Sequence, residues 1–192
     1  GTKGILLVVM ALGTLHAVSQ EDTPGQVRRE RLLESTLRVR YERRESAEHV
    51  TVTGHGTAFA VELGDYGLPR PRYLLTAAHN IRDGKGRVFG DLKVERRDGG
   101  RTDWISCSVL RIHPQLDLCL LESGADLPAR ASLGARDVMP GQPLLLGGSP
   151  RGIPPQLFEG VLQHRFNAGS VLSLMRVPFD HGDSGGPVFD PP

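Results

Sequence analysis

The sequence predicts an all-β protein folded into two lobes. Three observations predict it: apolar and polar residues alternate with a period of two along most of the chain, turn-forming residues recur about every ten positions, and helical periodicity is weak and confined to VRRERLLEST, residues 27–36. Many short strands separated by turns are typical of sandwiches and barrels. Hydrophobic residues make up 39% of the 192-residue chain, which is enough for a core.

Each predicted strand rests on its own pattern. In STLRVRYERR, Leu37, Val39 and Tyr41 share one face while arginines occupy the other, which indicates a half-buried strand. The remaining candidates alternate in the same way or are short apolar runs bounded by turns. They are residues 49–63, 73–81, 91–112 (two strands around an Asp-Gly-Gly turn), 116–122, 143–149, 158–166, 170–179 and 186–189.

Composition divides the chain into segments. Residues 123–143 are rich in Gly, Pro, Ala and Arg, which indicates a loop and a boundary between lobes. The predicted organisation is a signal peptide, a charged linker, an N-terminal lobe and an incomplete C-terminal lobe, at residues 1–19, 20–35, 36–122 and 123–192.

The start of the chain resembles an export signal. One lysine precedes an apolar run, Ile5 to Leu12, and small residues follow at Ala17 and Ser19, after either of which cleavage fits. The run is shorter than the roughly 20 residues of a membrane span, so no stable span is expected after cleavage. The alternative interpretation is a buried N-terminal strand.

Charge and cysteine content exclude several classes of function. The net charge is +1, and residues 21–50 hold seven arginines against seven acidic residues, so no nucleic-acid or membrane-surface partner is indicated. The chain lacks the C-x-x-C and H-E-x-x-H patterns, so we expect no metal. Cys107 and Cys119 flank a turn, where they form either a disulfide or two buried thiols.

The segment GDSGG, residues 182–186, matches the G-x-S-x-G pattern of the esterase nucleophile elbow. An esterase places its acid and its histidine after the serine, whereas only eight residues follow Ser184, three of them proline and none histidine. The partners of Ser184 must therefore lie upstream.

Three motifs provide such partners. LLTAAHNI, HPQLDLCLLE and GDSGGPVFD, in that order, resemble the trypsin-like serine peptidases, whose chain order His, Asp, Ser is matched by His79, Asp117 and Ser184. The likeness extends over residues 36–192, and the short loops, with the turn GGSPRG, resemble the bacterial HtrA-like branch. It implies two six-stranded antiparallel β-barrels of the chymotrypsin type, and location in the bacterial periplasm or outside the cell.

The resemblance also implies a role for each site residue. Ser184 would attack the scissile carbonyl, His79 would accept its proton, and Asp117 would orient the imidazole. The N–H groups of Gly182 and Ser184 would form the oxyanion hole. Substrates would be proteins or peptides, and the reaction would require no cofactor or metal.

Specificity would depend on residues just before the nucleophile, namely Pro178, Asp180 and His181. Enzymes of the family that cleave after basic residues carry an acid six positions before the serine, where this chain has Pro178. Small or apolar side chains are therefore expected at the cleavage site, unless Asp180 points into the pocket. His181 is a candidate for lining the cleft.

Three further polar residues lie near these motifs. Asp183 matches a buried aspartate that supports the oxyanion turn, and it would need an arginine or backbone donors because a buried unpaired carboxylate is costly. His55 and His113 lie near turns outside the histidine motif, so both are expected at the surface.

The chain departs from the family at its end. From Leu133 onward only four strands are predicted, too few for a closed six-stranded barrel. We therefore expect a truncated second barrel, either because the sequence is a fragment or because another segment or chain fills the gap.

Three functions remain open. The leading hypothesis is an exported serine endopeptidase that forms an acyl-enzyme. The alternative is a non-catalytic binding module or inactive fragment with the peptidase fold, and the third is an esterase. Taken singly, His79, Asp117 and Ser184 are each ordinary turn residues; their order within three motifs favours catalysis.

Overall fold

Strands account for most of the residues that the computed structural model describes, which are 14–16, 25–45, 50–98, 101–134, 138–166, 171–175 and 180–189. One α-helix, α1, spans Gly25–Ser35. The strands are β1 (Thr14–His16), β2 (Thr36–Glu45), β3 (Val50–Glu62), β4 (Tyr73–Thr76), β5 (Gly90–Asp98), β6 (Arg101–Ile112), β7 (Cys119–Ser123), β8 (Ala131–Gly134), β9 (Pro143–Gly148), β10 (Gln156–Phe166), β11 (Val171–Met175) and β12 (Val188–Phe189).

Six antiparallel strands of the first lobe close into a barrel. Their order is β3-β2-β5-β6-β7-β4, and the pairing of β4 with β3, where Ala58 faces Thr76, completes the ring. The alternation predicted for β2 is confirmed, since Leu37, Val39 and Tyr41 are all buried. They pack into a core with apolar residues of the other barrel strands.

The second lobe is an open sheet within the described residues. Strands β9, β10 and β11 form an antiparallel meander, and β12 pairs with the other edge of β9. The expectation of two six-stranded barrels is therefore confirmed for the first lobe only. The four strands predicted after Leu133 correspond to β9 through β12, and four strands are too few to close a barrel of this type.

Two elements connect the lobes. Strand β8 lies within the segment predicted as a loop, and it pairs in parallel with β3 through Val61 and Ala131. On its other side β8 pairs with β1, which continues to β12 through Leu15 and Phe189. Strand β1 falls inside the predicted signal peptide, which stays a prediction.

Helix α1 also lies at this junction. It falls in the weakly helical stretch of the predicted linker, and its Leu32 is 1% exposed. Leu32 packs into a cluster that contains Phe59 of the barrel and both Leu145 and Phe189 of the second lobe. Burying a side chain of this size stabilises the fold by about 1.5–3 kcal/mol, so this cluster fixes the lobes against each other.

The two cysteines are free thiols. In the β6–β7 ladder Cys107 faces Ser123, whereas Cys119 faces Ile112, so they sit at different levels of the hairpin. Burial raises the pKa of Cys107 to about 12 and that of Cys119 to about 11. The structure shows two free thiols rather than a disulfide, with Cys119 buried and Cys107 partly buried.

The described part of the chain holds no helix with the length and apolar character needed to cross a membrane.

Candidate active site

His79 lies at the end of a short strand of the barrel. After β4 the chain enters a single 3₁₀ turn, Ala78–Asn80. The alanines at 77 and 78 are buried, while the imidazole of His79 is half exposed, at 51%. Small residues let this turn sit deep in the barrel rim while the ring faces outward.

The carboxylate of Asp117 holds His79 at two atoms. Oδ2 lies 2.5 Å from the ring Nδ1, and Oδ1 accepts the backbone N–H of His79 at 2.8 Å. Burial alone would raise the pKa of Asp117, but the hydrogen bonds from the His79 ring and backbone outweigh it and lower that pKa. Asp117 is therefore an anion at neutral pH, and its Oδ2 accepts a hydrogen bond from the ring N–H at Nδ1.

The turn that presents Asp117 is organised by His113. Its ring Nδ1 accepts the backbone N–H of Leu116 at 2.9 Å and that of Gln115 at 3.2 Å. The backbone N–H of His113 donates to Leu118, which closes the same turn. His113 is thus part of the support for Asp117, a role that its predicted surface position did not include.

Two glycines shape the turn around Ser184. Gly182 and Gly185 have φ values of 101° and 87°, a region that residues with a side chain rarely adopt. A Cβ on Gly182 would overlap the Ser149 carbonyl oxygen, and one on Gly185 would lie 2.6 Å from the Ala77 nitrogen. The turn around Ser184 therefore packs directly on the residues that precede His79.

The peptide planes of this turn orient two N–H groups. The carbonyl of His181 accepts the N–H of Arg151, and the carbonyl of Asp183 accepts the N–H of Gly186 at 3.0 Å. In a trans peptide the N–H points away from the carbonyl, so the N–H groups of Gly182 and Ser184 point away from these bonds. Among the described residues neither N–H donates to another protein group.

The structure brings Ser184 next to the histidine turn. The Ser184 carbonyl accepts Nδ2 of Asn80, the neighbour of His79, at 2.6 Å. Within the described residues no hydrogen bond joins the Ser184 hydroxyl to the imidazole. Such bonds are commonly long in a substrate-free enzyme and tighten when substrate binds.

Asp183 is buried beneath the same turn, at 7% exposure. Its Oδ2 accepts the Asp180 backbone N–H at 2.8 Å, while Oδ1 has no donor among the described residues. Desolvation raises the pKa of Asp183. Of the two kinds of partner expected for this carboxylate, the structure shows one backbone donor.

Arg151 pairs with the neighbouring carboxylate, Asp180. Nε of Arg151 lies 2.5 Å from Asp180 Oδ2, and the His181 backbone N–H donates to Asp180 Oδ1 at 2.7 Å. The His181 N–H, and then Arg151, lower the pKa of Asp180. The charge of Asp180 is thus compensated by Arg151 from the turn after β9 and by a backbone N–H of its own loop. His181 is exposed, and Pro178 lies outside the described residues.

Two more polar residues, Thr57 and Asn80, contact this turn from the first lobe. Neither was predicted, because no spacing rule marks them in the sequence. The available signal was a polar residue within the buried run of β3, since a buried hydroxyl needs a partner. No group of three or more His, Cys, Asp or Glu side chains suited to a metal occurs in the part of the chain that the structure describes.

The fold of this chain is similar to those of two solved proteases. The serine endoprotease from Yersinia pestis aligns with a TM-score of 0.61 at 17% identity, covering 89% of this chain and 55% of that one. The Rv3671c protease in its inactive form aligns with a TM-score of 0.60 at 18% identity, covering 88% and 78%. At these identities the likeness shows a shared fold, and this chain spans little more than half the length of the Yersinia protein.

Among curated protein sequences none matches this chain significantly. A family model does match: the trypsin-like peptidase domain aligns with residues 56–192, more than two thirds of the chain, and includes His79, Asp117 and Ser184. The expected family is confirmed, and the chain belongs to the trypsin-like peptidase family.

Proposed function

We propose that this chain is a serine endopeptidase in which Ser184 is the nucleophile, His79 the general base and Asp117 the group that orients His79. The observation that carries the proposal is the hold of the Asp117 carboxylate on both the ring and the backbone N–H of His79. A general base needs its tautomer and its orientation fixed, and the partly buried carboxylate of Asp117 fixes both for His79.

The reaction follows from these positions. Nε2 of His79 accepts the hydroxyl proton as Ser184 Oγ forms a bond to the scissile carbonyl carbon. The carbon–nitrogen bond then breaks, the departing amine takes the proton from His79, and an ester to Ser184 remains. Water repeats the sequence on the ester, releases the carboxylic acid and regenerates Ser184.

The N–H groups of Gly182 and Ser184 form the oxyanion hole in this proposal. Their peptide planes are held by the bonds from Arg151 and Gly186, and neither N–H group donates to another of the residues that the structure describes. Losing one donor of this kind costs about 2.7–4 kcal/mol of barrier.

Substrates in this proposal are proteins or peptides cleaved after small or apolar residues. Because Arg151 and the His181 N–H already compensate Asp180, that carboxylate is a poor anchor for a basic substrate side chain. Pro178 and His181 complete the proposed pocket. Export to the periplasm or the extracellular space is part of the proposal and rests on the signal-like composition of residues 1–19.

One observation favours a second candidate, a non-catalytic module that binds peptides. The second lobe is an open sheet within the described residues, and an open sheet edge can pair with an extended peptide.

Hydrolysis of fluorescein-labelled casein separates these functions. We expect the chain to release short peptides, and Ser184→Ala to bind casein without cutting it. Binding without cleavage by the unaltered chain would favour the second candidate. Equal cleavage by Ser184→Ala would show that Ser184 is not the nucleophile.

A further inference from the structure

Thr57 is a polar residue in the most buried part of β3. Its exposure is 0%, and its neighbours Ala58, Phe59 and Ala60 are also buried. A hydroxyl in such a place costs free energy unless it is hydrogen-bonded. All of its polar atoms are in fact engaged, most of them with the other lobe.

The Thr57 hydroxyl joins two segments of the second lobe. It donates to the carbonyl of Gly182 at 2.6 Å and accepts the N–H of Ser149 at 2.9 Å. Its single proton and one lone pair are thus used between the nucleophile turn and the end of β9.

The Thr57 backbone makes a second connection. Its N–H donates to the carbonyl of Ser184 at 2.9 Å, and its own carbonyl accepts the Thr76 hydroxyl at 2.6 Å. Thr76 ends β4, three residues before His79.

Asn80 completes the same network. It is 2% exposed, and its Nδ2 donates to the Ser184 carbonyl at 2.6 Å and to the Thr76 hydroxyl at 3.1 Å. The amide occupies the space over Gly56, where a Cβ would lie 2.5 Å from Asn80 Cγ. The absence of a side chain at Gly56 leaves room for this amide.

We propose that Thr57 and Asn80 are positioning residues: from the barrel lobe they fix the carbonyls of Gly182 and Ser184, and they thereby set the position of the nucleophile relative to His79. This inference rests on the proposed function, because it assigns a catalytic purpose to the network.

Chain geometry explains how hydrogen bonds to these carbonyls can position the Ser184 hydroxyl. The peptide plane after Ser184 is held by two donors from the barrel, which fixes the Ser184 Cα and the origin of its hydroxyl. One of those donors, Asn80, follows His79 directly in the same 3₁₀ turn. The nucleophile and the base come from different lobes, and this network fixes their positions relative to each other. A displacement of about 1 Å at a reacting group can cost about 10²-fold in rate.

The test uses a fluorophosphonate probe, which reacts with an activated serine without a known substrate. Thr57→Val removes the hydroxyl at constant shape, Thr57→Ser keeps it, and Thr53→Val on the exposed face of β3 is the matched control. We expect the maximal labelling rate to fall about 10²-fold in Thr57→Val. The probe concentration that gives half of the maximal rate should stay within about twofold of that of the unaltered chain. Thr57→Ser and Thr53→Val should label within about threefold of the unaltered chain.

Asn80→Ala provides a second route to the same result. It should lower the maximal rate in the same manner while the thermal midpoint shows a folded protein. Unchanged labelling in folded Thr57→Val and Asn80→Ala would overturn the proposal. So would failure of both variants to fold, because the network would then serve stability alone.

Hydrogen exchange measured by mass spectrometry tests whether Thr57 holds this turn, and it does not require the chain to be active. In Thr57→Val we expect faster exchange over residues 180–189 than in the unaltered chain, with the barrel strands unchanged. If the unaltered chain does not label, the proposed function fails. Exchange then still decides whether Thr57 holds this turn, and equal exchange overturns the inference.

Discussion

Asp117 holds His79 by its ring and by its backbone with the two oxygens of one carboxylate. The first bond fixes the tautomer, and the second fixes the turn from which the ring projects. One side chain therefore orients His79, the proposed base, and that side chain stands on a turn organised by His113.

Asp117→Asn should lower the labelling and cleavage rates by about 10⁴-fold while the protein stays folded. The NH₂ group of the asparagine can donate to Nδ1, which places the ring proton on Nε2 and so favours the wrong tautomer. Asp126→Asn is the matched control, since Asp126 pairs with Arg72 at the surface of the same lobe. Rates are measured with the fluorophosphonate probe. A small effect of Asp117→Asn would mean that another acid orients His79.

Gly185→Ala should abolish labelling. The added Cβ would overlap the Thr57 carbonyl oxygen and crowd the Ala77 nitrogen, so the turn around Ser184 must move away from the histidine turn. Gly67→Ala is the control, because Gly67 also has a positive φ, of 78°, but open space around its Cα. Both variants carry backbone strain of about 1–2 kcal/mol. This strain should lower the thermal midpoint of unfolding in both. Retention of full labelling in Gly185→Ala would contradict the packing of the two turns.

Asp183→Asn should change how stability depends on pH. Burial raises the pKa of Asp183, so the folded state favours the protonated carboxyl. The stability associated with that proton is present below the ordinary value of 3.8 and is lost as pH rises through the raised folded pKa. The variant has no such loss.

Urea unfolding from pH 4 to 7 measures this effect. We expect the free energy of unfolding of Asp183→Asn, relative to the unaltered chain, to increase with pH over this window. Comparison of the two proteins cancels the opposite contribution of Asp117, whose pKa is lowered. A relative stability that decreases with pH would show that Asp183 is paired as an anion.

Leu32→Ala should destabilise the chain by about 2–5 kcal/mol, the range for a fully buried leucine. Leu32 joins α1 to the cluster shared by both lobes, whereas its neighbour Leu33 is only partly buried and serves as the control position. Urea unfolding measures the difference. Equal effects of Leu32→Ala and Leu33→Ala would show that α1 does not dock through Leu32.

The strands of both lobes were predictable because alternation is a local property. Leu37, Val39 and Tyr41 alternate with arginines, and the barrel buries the apolar set as the pattern predicts. The short strand β8 was missed, since ASLG lacks alternation and acquires its structure by pairing with β3. The pairing of β12 with β9 and with β1 also joins segments that are distant in the chain, which local sequence does not encode.

The residues of the candidate site that belong to sequence motifs were predictable, whereas those placed there only by tertiary contacts were not. His79, Asp117 and Ser184 stand in recognisable motifs, and the bond between the first two agrees with their expected pairing. Thr57 and Asn80 make their bonds to residues more than 100 positions away in the chain, which no local pattern encodes. The pairing of Asp180 with Arg151 likewise joins two loops that are distant in sequence.

Intact-mass analysis after fluorophosphonate treatment tests most directly whether Ser184 and His79 act as a nucleophile and its base. We expect one adduct on the unaltered chain, located on Ser184 by peptide mapping, and none on folded His79→Ala. An adduct of equal yield on His79→Ala, or no adduct on the unaltered chain, would contradict it.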